Sequence, residues 1–216
     1  MAASQETARL SAGLAGALSS RGGRAFAAAT IMTAPVTSLR RVPRLPGAFT
    51  VRAVAAGDEP ALRAFSGQPA KVARLMASGD LGLIALSEGR IQAMEWIRPG
   101  PAEYDWDARR LGLVFHVPPR YCWLHNGSGG GVGPWAMVMG RLPLILEARG
   151  IDVACLQVAS ENVYSIQCHE SLGFRRSGTA AALRLGQRPL VWLRTNGRMS
   201  LQFREMALDL HRLAPR

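Results

Sequence analysis

The sequence predicts an α/β domain, and three observations carry that reading. A glycine-rich segment, Asn126 to Pro134 (NGSGGGVGP), opens an apolar helical stretch that runs to Ala148. The apolar run Ile151 to Val158 reads as a buried strand, and Asn162 to Leu172 as a helix ended by Gly173. Strand-like runs stand on both sides of this block, at Leu111 to Val117 and again at Thr179 to Leu185 and Pro189 to Arg194. Strand, glycine loop, helix, strand, helix, strand is an α/β order.

The remaining elements follow along the chain. From Phe49, FTVRAVA is a short β-like run, and Asp58 to Ser78 carries two short helices separated by the break Ser66-Gly67-Gln68-Pro69. Leu81 to Ser87 and Ile91 to Ile97 form a hairpin joined by Glu88-Gly89-Arg90, and Arg98-Pro99-Gly100-Pro101 closes it before an acidic loop with Asp105 and Asp107. Pro143 removes a hydrogen bond and is expected to kink the helix after the glycine loop, which Gly140 also loosens. Ser200 is expected to cap a C-terminal amphipathic helix with Phe203, Met206, Ala207, Leu210 and Leu213 on one face, packed on the domain or on a second copy as a homodimer.

The first 48 residues hold six arginines against one glutamate and no periodic stretch long enough to build a core. They read as a flexible basic extension, or as an organellar transit peptide, with Met32 as an alternative start. The domain boundaries expected are therefore 1–48 for the extension, 49–194 for the α/β domain and 195–216 for the C-terminal helix. On this reading residues 1–48 are dispensable for folding.

Composition narrows the function. The chain has 216 residues, 48% of them hydrophobic and 19% charged, which is globular rather than disordered. No apolar run approaches the roughly 18 residues of a membrane span, so no membrane role is expected. The formal charge of +11 comes with a single lysine, Lys71, among 26 basic residues, and the charge between residues 49 and 193 is nearly balanced. A basic total without a basic stripe or a recognition motif does not predict nucleic-acid binding. Three cysteines, Cys122, Cys155 and Cys168, lack zinc-like spacing and read as free thiols in a reducing, cytoplasmic setting, with organellar import as the alternative. The four histidines show no metal spacing, so no metal is expected.

Two constellations carry chemistry. The glycine loop exposes backbone N–H groups at a positive helix end, an arrangement suited to phosphate, although it lacks the Lys-Ser/Thr of a P-loop. Its competing reading is a flexible surface loop. In the helix NVYSIQCHES, residues Asn162, Ser165, Ile166 and His169 fall on one stripe, which is either a solvent face or the wall of a polar cleft. Apart from these, Glu95 shares a strand face with Ile91, Ala93 and Ile97; burial there would raise its pKa into the range of a general base. A solvated Glu95 at a sheet edge is the other reading, and His125 and Asp107 are the next candidates for the base.

The segment NVYSIQCHESLGF resembles the N-x-x-A-I-x-x-Y-E-K-x-G-F signature on the fourth helix of the GNAT (GCN5-related N-acetyltransferase) acyltransferases. The order of elements from about Phe49 to Arg194 is similar to that family as well. The resemblance implies a GNAT-like mixed central sheet flanked by helices, and an N-acyltransferase that takes acetyl-coenzyme A or another acyl-coenzyme A. Its other substrate would be a small-molecule or peptide amine. Gly131-Val132-Gly133 corresponds to the G-x-G of the family's R/Q-x-x-G-x-G/A pyrophosphate loop, and Ser128 replaces the Arg or Gln. The cofactor-binding residues implied are Val117, Ser128, Gly130, Gly131, Val132, Gly133, Asn162 and Ser165. His169 stands at the place of the tyrosine that protonates the departing thiolate, so the implied catalytic pair is His169 and Glu95. A neutral wall residue is the competing reading of His169. Val117-Pro118-Pro119-Arg120-Tyr121 fits the family's start of the cofactor strand, with CWLHNGSGG as an insertion; otherwise the strand is Tyr121 to Asn126. The serine at position 128 also leaves open a module of the same fold that binds coenzyme or protein without catalysis.

Overall fold

The computed structural model describes residues 26–40, 49–105, 113–185, 188–195, 198–203 and 206–213. In chain order the elements are β1 (Phe26–Pro35), β2 (Thr50–Ala53), α1 (Glu59–Ser66), α2 (Pro69–Ala77), β3 (Leu81–Ser87), β4 (Arg90–Pro99), β5 (Ala102–Asp105) and β6 (Leu113–Val117). There follow β7 (Tyr121–Gly129), α3 (Val132–Glu147), β8 (Val153–Ala159), α4 (Val163–Ser171), β9 (Arg175–Leu185), β10 (Arg188–Thr195), β11 (Arg198–Gln202) and β12 (Met206–Asp209). The described residues divide into two compact units: those within 34–102 and 117–156, and those within 26–33, 103–116 and 157–213.

The first unit is a mixed sheet with helices against it. Its strand order is β8-β7-β4-β3-β2. The β7/β8 pair is parallel, from Tyr121↔Val153 to Leu124↔Leu156, while β2/β3, β3/β4 and β4/β7 are antiparallel. Gly67, at φ 63°, ends α1 in the left-handed conformation, and Pro69 opens α2 two residues later, so the Ser-Gly-Gln-Pro break acts as stop and start together. Leu62 of α1 and Val72 and Leu75 of α2 bury against Ile84, Met94 and Trp96 of the hairpin. Each large apolar side chain taken out of water there contributes about 1.5–3 kcal/mol. The hairpin turns on Glu88 and Gly89, both at positive φ, which matches the twist of its strands; the connection is two residues rather than the three expected.

The second unit holds the antiparallel order β11-β10-β9-β1 and a small sheet ordered β12-β6-β5, in which β12 runs parallel to β6. Helix α4 belongs to this unit.

Two sequence expectations are corrected by the structure. Residues 1–48 are not uniformly an extension without core: β1 pairs with β9 from Phe26↔Leu183 to Thr33↔Arg175, and Ile31 and Met32 are wholly buried. Alanine-rich composition hid this strand, because small residues pack well between neighbouring strands but give a weak hydrophobic pattern. Met32 is therefore the middle of a strand, while residues 1–25 and 41–48 lie outside the described residues. The C-terminal helix is not formed. Residues 198–209 make two strands, Met206 and Leu208 being buried and Ala207 and Asp209 exposed, and only Leu210–Leu213 form a 3-10 turn. A period of two won over the period of 3.6 that Met206, Leu210 and Leu213 suggested. Helix α3 continues through Pro143 to Glu147, with Pro143 on its buried side.

Candidate functional site

β7 leads straight into the glycine loop and α3. Its register with β4 pairs Met94 with Ser128 and Ala93 with Gly129, then shifts, so that Trp96 faces His125 and the single residue Glu95 lies opposite Asn126 and Gly127. Two residues opposite one is a β-bulge, and Asn126 takes the left-handed conformation within it, at φ 56°. A bulge carries its extra residue out of the ladder and redirects the strand. Beyond it, the Gly130 N–H donates to the Gln92 carbonyl at 2.8 Å, and Gly131, at φ 146°, forms the N-cap of α3 with no side-chain cap. The first N–H groups of any helix lack partners within it, and here no acidic residue occupies the first turn. Val132 and Gly133 are exposed, and a Cβ on Gly131 or Gly133 would meet no atom within 4 Å.

This settles which strand feeds the loop. Val117 ends β6 in the small sheet and is buried, so the strand before the glycines is Tyr121–Gly129, and Val117 does not stand on the strand that leads into the loop. Ser128, Gly130, Gly131, Val132 and Gly133 stand together at the loop.

Glu95 is buried, at 4% exposure, so the solvated-edge reading fails. Met94 and Trp96 face α1 and α2, and alternation turns Glu95 to the other face, where Trp135 of α3 donates a side-chain hydrogen bond. Burial pushes its carboxyl up to about 8, against the opposing pull of hydrogen bonds from Trp135 and the Trp96 backbone. A Cβ on Gly127 would run into this carboxyl, which explains glycine at the bulge.

A second buried cluster lies on the same two strands. Asp80, just before β3, accepts Arg98 Nε at 2.7 Å and Arg98 Nη2 at 2.8 Å, and His125 Nε2 lies 3.1 Å from Asp80 Oδ2. Burial alone would raise the Asp80 carboxyl, but hydrogen bonds from His125, Arg98 and Ser78 outweigh it and hold it at about 2. On the far side of the ring, Asn126 Nδ2 donates to His125 Nδ1 at 2.6 Å. The chain Arg98–Asp80–His125–Asn126 thus ends at the bulge. His125 was a secondary candidate in the sequence; Asp80 carried no signal, because its partners come from other elements. Asp107 lies outside the described residues.

On α4, Asn162 Oδ1 accepts the Ser165 backbone N–H at 3.0 Å and caps the helix. The stripe that begins there sinks from exposed Asn162, through partly covered Ser165, to buried Ile166 and His169, so it is not a solvent face. His169 Nδ1 donates to the Ser165 carbonyl at 2.7 Å, and the ring meets Phe174 edge-on, with centroids 5.7 Å apart. Burial lowers its pKa, against the opposing effect of the Ser165 bond.

Among the described residues no group of three or more His, Cys, Asp or Glu side chains could hold a metal ion, and no helix is long and apolar enough to cross a membrane. The three cysteines are free, Cys122 and Cys155 being buried.

No protein-family model and no curated protein matches the sequence. Solved structures do. A protein of Novosphingobium aromaticivorans described as belonging to the GNAT family superposes with a TM-score of 0.52 at 23% identity, over 72% of this chain and 62% of its own. A GNAT-family acetyltransferase of Colwellia psychrerythraea gives 0.53 at 12% identity, over 80% and 58%. The chain has the GNAT fold. A further GNAT fold, the GCN5-related glucosamine N-acetyltransferase region of a fungal multi-domain β-N-acetylglucosaminidase, gives 0.53 at 10% identity, over 70% of this chain and 20% of that one. The chain spans less than two thirds of the length of each of these structures. In the GNAT fold found here, the glycine loop follows a bulged strand, and the asparagine of the helix motif opens α4 as its cap.

Proposed function

We propose that the protein is an acyl-coenzyme A-dependent N-acyltransferase, with acetyl-coenzyme A as the first candidate donor and a small-molecule or peptide amine as acceptor. The observation that carries this reading is the uncapped start of α3, reached directly from a bulged strand through exposed glycines. Anion binding suits such a helix end: the N–H groups are unpaired within the helix, the helix dipole favours negative charge, and no side chain crowds Gly131 or Gly133. Ser128 supplies a neutral hydroxyl where the family resemblance puts Arg or Gln, so the pyrophosphate of the donor is held here by backbone rather than by a charged side chain.

When bound, the donor supplies a thioester carbonyl for the amine to attack. Glu95, with a pKa near 8, is matched to the task of taking the proton from an attacking ammonium, since a base works best when its pKa lies near the working pH. Only the family resemblance assigns Asn162 and Ser165 to the donor's amide-bearing arm; on α4 itself Asn162 Oδ1 accepts the Ser165 N–H as the helix cap. His169 stores its Nδ1–H in the bond to Ser165, and burial favours the neutral ring, which supports the wall reading over the proton donor. The pH–rate profile separates the two. A donor of this kind would give an activity that falls as pH rises through a value below the ordinary imidazole range, and His169→Phe would lose about ten- to ten-thousand-fold in turnover. A wall residue gives neither effect.

Acetyl-coenzyme A-dependent release of free thiol across an amine panel tests the function. Release with at least one amine, abolished or shifted in pH dependence by Glu95→Gln, is the expected result. Coenzyme binding without thiol release from any amine would instead support the catalytically silent module, for which Ser128 at the loop is the one favouring observation.

A further inference from the structure

The first unit contains a cavity of about 430 Å³ between the α1–α2 break and the bulged end of β7. That volume is in the range of small-ligand sites. Its wall is apolar on one side, with Phe65, Val72, Leu75 and Met94, and backbone-rich on the other, where residues 126–130 pass. Two polar side chains there are set apart by their chemistry.

Lys71, the single lysine of the chain, is the only charged residue on the lining. It is partly covered, and no carboxylate accompanies it on the wall. Its neighbour one helical turn on is Arg74, a second positive charge. Burial, and then Arg74, lower the Lys71 pKa, as expected of an ammonium with no counter-ion among the described residues. Asn126 is the second. Its side chain is not free to rotate, because Nδ2 is bonded to His125 Nδ1 while Asp80 holds His125 from the other side and Arg98 holds Asp80. The amide is therefore fixed at the cavity wall by an anchored chain of buried groups, which is how a protein sets an orienting contact rather than a solvated one.

We propose that this cavity takes the acceptor, and that the acceptor is a small amine with an anionic group and an apolar body: the anion pairs with Lys71, the body lies on Phe65 and Met94, and Asn126 orients the polar end. This rests on the acyltransferase reading for the role of the bound molecule, but the subsite itself is a matter of charge and shape. An uncompensated, partly desolvated cation favours an anion, whereas a neutral or cationic amine would leave Lys71 and Arg74 repelling each other beside it. Lys71 and Asn126 act here as specificity and positioning residues.

The test has two arms. In the first, thiol release from acetyl-coenzyme A is measured with L-phenylalanine, L-phenylalaninamide and phenethylamine, which share a body and differ in charge. The expected result is a kcat/KM about tenfold or more higher for the carboxylate, lost in Lys71→Met through KM with kcat little changed, and reversed in Lys71→Glu. Equal use of all three amines, or an unchanged preference in Lys71→Glu, would overturn the subsite. The second arm needs no acyl transfer: calorimetry of N-acetyl-L-phenylalanine and its amide with the protein alone. Binding of the acid but not the amide, lost in Lys71→Glu, supports the subsite even if no amine releases thiol, in which case it is the acyltransferase reading that fails. Binding of neither probe, or of both equally, overturns the subsite whatever the first arm shows. Asp80→Asn adds a readout that Lys71 does not control: it frees the Asn126 amide, so kcat should fall with the carboxylate preference retained, while loss of that preference would contradict the positioning role.

Discussion

Glu95 and Asp80 are both buried carboxyl groups on one sheet, and their surroundings drive them in opposite directions. Glu95 has hydrogen bonds too few to offset burial, so in the folded protein it keeps its proton up to about pH 8, well above its ordinary value of 4.5. Between those values the unfolded chain is ionised and the folded one is not, so stability falls as pH rises, by up to about 1.4 kcal/mol per unit, and levels off above the folded pKa. Glu95→Gln lacks this titration. Urea unfolding at pH 5, 6.5 and 8 should show the variant gaining on the wild type at each step; a constant gap would mean that Glu95 titrates like a solvated acid. Asp80 runs the other way: its contribution is complete above its ordinary value of 3.8 and is lost as pH falls through about 2. At pH 7 Asp80→Asn leaves Arg98 without its charge partner and His125 Nε2 without its carboxylate acceptor, at a cost of about 3 kcal/mol. A loss below about 1 kcal/mol would class the pair with ordinary surface bridges. Period-two alternation set Glu95 on an apolar strand face but left burial and a solvated edge both open, because the neighbouring strands are not written in the spacing. The Asp80 cluster was not legible, because no spacing along the chain links an aspartate before β3 to a histidine on β7.

At the scale of elements, helices and turns with strong punctuation were legible and strands of small residues were not. Gly67 and Pro69 fixed the α1–α2 break, and Gly173, at φ 105°, ended α4 where the sequence expected. β1 was missed because FAAATIMTAP has only three large apolar residues, Phe26, Ile31 and Met32, the first set apart from the others in an alanine-rich segment. Its burial makes a definite prediction. Truncation before Phe49, which the sequence alone would tolerate, removes the partner of β9 and should abolish cooperative thermal unfolding. The point variant Ile31→Ala should cost about 3 kcal/mol, as a cavity in a filled core does. A fully cooperative transition in a chain beginning at Phe49 would show that β1 is peripheral. β11 and β12 taught the reverse lesson: a short apolar segment supports either period until its neighbours are known, and pairing with β10 and β6 decided for strand.

For the whole molecule, the order of elements reached the α/β class, and the resemblance of NVYSIQCHESLGF to the GNAT helix motif was needed to reach the fold. Of the two strands the sequence left open before the loop, the second leads into it, Tyr121–Gly129, while Val117 ends the separate strand β6. Function depends on whether the open start of α3 holds a pyrophosphate. Calorimetry with acetyl-coenzyme A, on the wild type and on Gly131→Asp, tests that most directly. A carboxylate at position 131 sets negative charge at the anion-binding helix end and strains a φ of 146° that suits glycine, yet the Cβ meets no neighbour, so the fold should persist by circular dichroism. The account predicts saturable binding to the wild type and binding weaker by about tenfold or more in the folded variant, roughly 1.4 kcal/mol of lost affinity. Equal affinity of the two proteins, or a wild type that binds no acetyl-coenzyme A, would contradict it.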